Sequence, residues 1–336
     1  MVDNNSLVVV LDEESRETCD MLGWRYFPGG RKRDDRDYVI ETPLGSPRVV
    51  RGTLVDEPNL RYHSSEYLYL EVTDYCNFRC KHCGVGDEVV HLPITEIVSD
   101  GGVYITERFV EGLADALSGD YPNAVGYRRL FYGGGEPLLN PQRFGEINKA
   151  FASLDRTFRV VVTNGCSVPL DFEKFRDYVD QIGRPSHLFL TVSKEHMRQY
   201  RVLTNRLASG DYDLEDFIPS PAEAKEPLIA KADILDKHTK RLRNAGFDLE
   251  FLVLTLSSRS DTSFEEEIRE AILREGTSNP ALFGITVDGT RDPCSKAQEL
   301  SIRTNGDLYP HCYDIFTGRN KIGIVGFLLG EDNGEL

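Results

Sequence analysis

The chain has no run of about 18 apolar residues, so no membrane-spanning helix is expected. Its opening residues, MVDNNSLVVVLDEE, have neither a basic start nor a cleavable apolar stretch. No signal peptide is recognisable there, and a cytoplasmic location is expected. Positive charge is in short supply, with 39 Lys and Arg against 55 Asp and Glu and a net charge of −16. That balance excludes the positive field of a general nucleic-acid or membrane-surface binder, while leaving room for a locally basic pocket. Cysteine is sparse and unevenly spaced, seven in 336 residues, which argues against a disulfide framework. Neither an internal repeat of about 20 to 50 residues nor a low-complexity tract occurs.

What is present is an alternation of strand-like and helix-like segments. Six apolar, β-branched or aromatic runs recur: YLYLEVT (67–73), RRLFY (128–132), TFRVVVT (157–163), HLFLTVS (187–193), FDLEFLVLTL (247–256) and LFGITV (282–287). Between them, Thr106 can cap a helix whose buried face is Phe109, Val110, Leu113 and Leu117. Asn140 and Pro141 suit the N-cap and first position of another, with Phe144, Ile147, Phe151 and Leu154 along its stripe. Strand alternating with helix predicts an α/β fold with parallel strands and right-handed crossovers, curled into a partial (β/α)6 TIM-like barrel. Chemistry then collects at the C-terminal ends of the strands. The core is expected over residues 66–290, and three stretches fall outside the strand–helix pattern. Residues 1–65 are expected as an extension with a hairpin turning at Leu44–Gly45–Ser46. Residues 291–336 are expected to carry a second hairpin at Asn305–Gly306. The acidic, proline-rich stretch 206–228 reads as a long excursion or lid.

The segment YCNFRCKHCGVG places Cys76, Cys80 and Cys83 within eight positions, just after the first core strand. A structural zinc site needs four ligands, and His82 adjoins Cys83 too closely to complete one tetrahedron easily. An iron–sulfur cube takes one thiolate per iron, so three thiolates leave one iron open to a substrate. This C-x3-C-x2-C spacing, with FYGGGEPLLNP (131–141), VVTNGC (161–166) and LTVSKEH (190–196) ending the next three strands, resembles the radical S-adenosylmethionine (SAM) superfamily over roughly residues 67–290.

The resemblance implies a [4Fe–4S] cluster on Cys76, Cys80 and Cys83, its open iron chelated by SAM. It implies that Gly133, Gly134 and Gly135 let backbone approach the methionine part and that Glu136 meets the SAM ammonium. Asn164 and Ser193 stand where ribose or carboxylate contacts occur, and His82 where an adenine contact does. A flavodoxin or ferredoxin would supply the electron that yields a 5′-deoxyadenosyl radical. One departure stands out: the fourth-strand motif reads Ser193–Lys194–Glu195 in place of the family's Ser-x-Asp.

Cys294 and Cys312 flank the C-terminal hairpin, which resembles the reduced twitch-type tail of SPASM-related enzymes. They are candidates for part of an auxiliary iron–sulfur site, or for a thiol that returns hydrogen to a substrate radical. Cys19 and Cys166 read as packed thiols. His196, three residues after Ser193, lies near the expected active face, and His187 reads as structural. The function expected is radical SAM chemistry on a small polar metabolite: a sugar, nucleoside or amino-acid-derived natural-product intermediate. Epimerisation, dehydrogenation or radical elimination is its outcome. The alternatives are a twitch/SPASM-type maturase acting on a precursor peptide, and a zinc-stabilised binding module without turnover.

Overall fold

The structure is a computed structural model that describes residues 6–23, 30–58, 60, 67–80, 90–91, 103–118, 129–154, 157–210, 214–220, 226–257, 263–275, 281–286, 299–310, 314 and 318–329. In chain order, β1 (Leu7–Leu11) and α1 (Glu13–Met21) precede the hairpin β2 (Arg31–Glu41) and β3 (Pro47–Asp56). The core begins with β4 (Tyr67–Thr73), followed by the short β5 (Tyr75–Cys76) and β6 (Val90–His91), then α2 (Glu107–Ser118). Next come β7 (Arg129–Gly134), α3 (Pro141–Ala150), β8 (Phe158–Thr163), α4 (Phe172–Gln181) and β9 (His187–Val192). After α5 (Lys194–Ser209), α6 (Pro227–Asn244), β10 (Glu250–Ser257), α7 (Ser263–Glu275) and β11 (Ala281–Thr286), the chain closes with β12 (Glu299–Ile302), β13 (Asp307–Tyr309) and β14 (Gly323–Leu328).

Strands β4, β7, β8, β9, β10 and β11 lie side by side in that order, every pair parallel. They are the six strands expected from the apolar runs. Parallel neighbours require a crossover, and among the described residues each gap holds one α-helix except β9 to β10, which holds α5 and α6. The period-two pattern divides the sheet's faces. Leu68, Leu70, Val72, Leu188, Leu190 and Val253 join the main core, with Phe109 and Leu113 of α2. On the opposite face Val160, Phe189 and Leu254 cluster with Phe131, Val162 and Leu252. Tyr67 extends that face, its ring 5.9 Å from Phe131, which in turn lies 6.0 Å from Phe189.

Local chemistry sets the helix starts. Asn140 accepts from Arg143 N at 3.0 Å with Pro141 in the first turn, and Thr106 accepts from Phe109 N at 3.2 Å. Both caps are the expected ones. The hairpins also turn where expected: Thr42 N donates to Ser46 O across the first, and Arg303 N to Asp307 O across the second.

The terminal segments do not stand apart as a roof over the core. They extend its sheet. β12 pairs parallel with β4 (Ser301 opposite Tyr69), and β13 and β14 continue antiparallel. Pairings β14–β1, β1–β3, β3–β2 and β2–β14 then close a ring of four strands. Val8, Val10, Tyr38, Ile40, Val50, Leu54, Ile324 and Leu328 fill it. The other face of the same strands, with Leu7, Val9, Leu11, Val325 and Phe327, joins the main core. β1 is therefore apolar at every position because it is buried on both faces.

The 206–228 excursion is also more tied down than its composition implies. Residues 206–209 end α5 and 227–228 begin α6. Between them Leu214 and Ile218 are buried in the core, and Leu170 N donates to Asp216 O at 2.9 Å. Two apolar side chains among the acids anchor a stretch whose proline and charge content suggested a lid.

Phe327 joins the C-terminal strand to α2, its ring 6.5 Å from Phe109 and capped by the Arg108 guanidinium at 4.3 Å. Phe327→Ala should cost about 3–5 kcal/mol in urea unfolding while the transition stays single. A loss below about 1 kcal/mol would show that the terminal strands are not part of the same cooperative core.

Candidate active site

The turns after β4, β7, β8 and β9 meet on one edge of the sheet, because parallel strands put all their C-terminal ends together. Two backbone bonds register the β7 turn on the β4 turn: Gly135 N donates to Thr73 O at 2.8 Å, and Glu136 N to Tyr75 O at 2.7 Å. Gly134 N donates to Tyr69 Oη at 3.0 Å. The approach is too close for a side chain. A Cβ on Gly135 would stand 1.9 Å from Tyr75 O, and one on Gly133 2.0 Å from Tyr69 Oη. The sequence suggests that these glycines make room for a ligand. The directions of their missing Cβ atoms show that they first make room for β4 and the residue before Cys76.

Glu136 follows the glycines and is almost wholly buried. Its Oε1 accepts from Thr163 Oγ1 at 2.5 Å and Leu138 N at 3.1 Å, and its Oε2 from Asn164 N at 2.7 Å. The carboxylate expected to meet a ligand's ammonium thus clasps the β7 turn to the β8 turn. Burial pushes its carboxyl up from 4.5 to about 7, against the pull of those donors and of Lys231. Lys231 of α6 lies buried behind the site, its Nζ donating to Phe217 O at 2.6 Å and to Cys166 O at 3.5 Å. Burial pushes it down from 10.5 to about 7.

Asn164 carries the seam onward. Its Nδ2 donates to Asn77 Oδ1 at 2.7 Å, its Oδ1 accepts from Cys166 N at 2.9 Å, and its carbonyl accepts from Tyr200 Oη at 3.0 Å. Asn77 is the residue after Cys76, so the β8 turn is bonded directly into the cysteine loop. Ser193 caps α5, its Oγ accepting from His196 N at 3.2 Å and lying 2.7 Å from His196 Nδ1. Glu136, Asn164 and Ser193 therefore lie at one edge of the sheet, with side chains that bond to the protein itself.

Cys76 and Cys80 are half-buried on the β4 turn. Phe78 N donates to Cys76 Sγ at 3.4 Å, and His196 Nε2 lies 3.8 Å from Cys80 Sγ. Soft thiols beside a backbone N–H and an imidazole nitrogen suit an iron–sulfur cluster better than a hard cation that wants oxygen ligands. Among the described residues no group of three or more His, Cys, Asp or Glu is placed to hold a metal. Cys83 and His82 lie outside the described residues, as do Cys294 and Cys312. The packed reading of the other two thiols agrees with their surroundings. Burial pushes Cys19 up to about 12 and Cys166 up to about 11, far from a reactive thiolate.

Sequence reasoning missed three partners here. Asn77 and Thr163 sit inside quoted motifs but look like spacers. Lys231 had a signal, since it interrupts the apolar stripe of Leu228, Ala232 and Leu235 on α6.

Two outcomes follow from this geometry. Gly135→Ala should displace the cysteine loop, cost about 1–3 kcal/mol and lower the iron bound after anaerobic reconstitution; wild-type stability and iron content would contradict the close approach. For Glu136 the folded carboxyl sits above its unfolded value of 4.5, so the folded state binds the proton more tightly. Its contribution to stability then declines as pH rises from 4.5 to about 7. Glu136→Gln removes that dependence, so its stability deficit against wild type should shrink across this window in urea unfolding. A deficit constant with pH would contradict it.

A model of the Radical SAM superfamily matches residues 70–226. GTP 3',8-cyclase of Pseudomonas syringae pv. syringae (strain B728a) is 33% identical over 255 residues, 74% of this chain and 67% of that protein. GTP 3',8-cyclase 2 of Pseudomonas aeruginosa is 25% identical over 202 residues, 60% of this chain; the chain spans 54% of that relative's length. A solved structure described as native anSMEcpe with bound AdoMet and Cp18Cys peptide covers 74% of each chain at 11% identity and a TM-score of 0.40. The family match spans the cysteine loop, the glycine turn and the turns after β8 and β9, and on this footing the chain belongs to the radical SAM superfamily.

Proposed function

We propose that the chain is a radical SAM enzyme whose cluster is held by Cys76, Cys80 and Cys83 and whose substrate is a small polar metabolite. Membership of the superfamily brings a [4Fe–4S] cluster and SAM as cofactors. When bound, they supply a 5′-deoxyadenosyl radical able to take hydrogen from an unactivated C–H bond. The observation that carries the reading is the seam that ties the cysteine loop to three neighbouring turns: through Gly135 and Glu136 to β7, through Asn77 and Asn164 to β8, and through Cys80 and His196 to α5. Such bonds hold the two described thiols still, and a fixed ligand set limits the reorganisation that electron transfer would otherwise require.

The remaining residues fit roles in binding and enclosure. The half-buried glycine turn, its amides bonded to β4 and to the start of the cysteine loop, is the backbone proposed to lie against the amino-acid part of SAM. The face opposite the helices combines an aromatic belt (Tyr67, Phe131, Phe189) with a polar end. There Glu71 of β4 is buried beside Arg303 from the β12–β13 turn, their Oε2 and Nε 3.4 Å apart, and Ser301 of β12 is buried next to them. A face that is apolar below and polar above suits a compact polar substrate better than a long peptide, which would need an open groove. The relatives named as GTP 3',8-cyclases make a purine nucleotide the first member of that class to try. A flavodoxin or ferredoxin is proposed as the reductant.

Anaerobically reconstituted protein should form 5′-deoxyadenosine from SAM under strong reductant, and a nucleoside or nucleotide should raise that rate above an amino acid, sugar or short peptide. Cys76→Ala, Cys80→Ala and Cys83→Ala should each lose iron and turnover together. Undiminished turnover in any one of them removes that residue from the ligand set. Stimulation by peptides alone would replace the substrate class with a peptide one.

A further inference from the structure

His196 lies in the first turn of α5, is 8% exposed and has its two ring nitrogens in different company. Nδ1 is 2.7 Å from Ser193 Oγ, and Nε2 is 3.8 Å from Cys80 Sγ. The ring is held on its sides as well. Phe78, two residues before Cys80, has its ring 5.8 Å from the imidazole, and the Tyr200 ring is 5.7 Å from Phe78. Ser193 Oγ already accepts the His196 backbone N–H at 3.2 Å. A hydroxyl has one proton and two acceptor positions, so the proton remains to be placed. The ring nitrogen 2.7 Å away is an acceptor for it, and a hydroxyl donating to Nδ1 puts the imidazole's own proton on Nε2. That proton then points at the sulfur of Cys80. The reverse tautomer would set a bare nitrogen lone pair against an iron-bound thiolate.

We propose that His196 is a positioning residue that donates an Nε2–H···Sγ hydrogen bond to Cys80, with its tautomer set by Ser193, and so raises the reduction potential of the bound cluster. The inference rests on the cluster reading above and adds the assignment of Ser193 and His196 to potential control. The physical reason is electrostatic. Each added electron raises negative charge on the cluster and its sulfurs, and a donor aimed at a thiolate stabilises the reduced form more than the oxidised one. Where the family often has Ser-x-Asp, this chain reads Ser193–Lys194–Glu195–His196. The serine caps the helix and orients a histidine three residues along.

The test compares midpoint potentials of reconstituted wild type, His196→Phe and His196→Gln, followed by electron paramagnetic resonance without SAM. Phe keeps the ring's bulk and removes the donor; Gln restores an N–H donor. His196→Phe should shift the oxidised-to-reduced ratio about tenfold toward oxidised at a fixed potential, equivalent to ~59 mV for one electron, and His196→Gln should recover most of that shift. Equal potentials in wild type and His196→Phe overturn the proposal while leaving the radical SAM reading intact. Should His196→Phe fail to retain iron, Ser193→Ala takes its place, since it keeps the imidazole but frees Nδ1 to carry the proton. A lowered potential supports the tautomer assignment, and a wild-type potential overturns it. Wild-type protein that takes up no cluster at all would defeat the cluster reading instead.

Discussion

The site depends on how closely two turns approach each other. The turn after β7 sits against the turn after β4 with no atom to spare, and the contact exists because positions 133 and 135 lack a Cβ. From that contact the rest follows. Two backbone bonds register the strands' ends, Glu136 is carried inward to hold the β8 turn, and Asn164 is placed against Asn77 in the cysteine loop. Each link is short-range and directional, so a displacement at one passes to the next. The buried carboxylate and the buried amine of Lys231 show what the arrangement costs in solvation, since burial moves both toward their neutral forms.

The terminal segments supply the second constraint. A parallel sheet that stopped at β4 would expose the edge nearest the cysteine loop. β12 covers that edge, and the ring formed by β1, β2, β3 and β14 anchors β12 and β13 in turn. The same pairing brings Arg303 to the buried Glu71 of β4. The extensions therefore do two things: they hold the strand that leads into the cysteine loop, and they bring buried polar groups against it.

Much of this was legible in the chain. The six core strands stood out because each is a short apolar run bounded by turn residues, and the caps at Thr106 and Asn140 are local signals that depend on two or three neighbours. The cysteine spacing and the glycine turn were legible for the same reason. What stayed hidden was long-range. Nothing near Leu7 reveals that it pairs with Phe327, so the two ends of the chain read as separate extensions. The roles of Glu136, Asn164 and Ser193 toward a ligand were what the family resemblance implied; only the folded arrangement shows that the side chains of Glu136 and Asn164 bond to neighbouring turns and that of Ser193 to His196. His196 attracted notice by its place on the active edge, but its partner is 116 residues away in sequence.

The central claim is that three cysteines of one loop hold an iron–sulfur cube and leave one iron for SAM. The most direct measurement is Mössbauer spectroscopy of protein reconstituted with iron-57, recorded with and without SAM. The account predicts that SAM alters the signal of one iron site and leaves the others unchanged. A spectrum that does not respond to SAM, or protein that takes up zinc in place of iron, would contradict it.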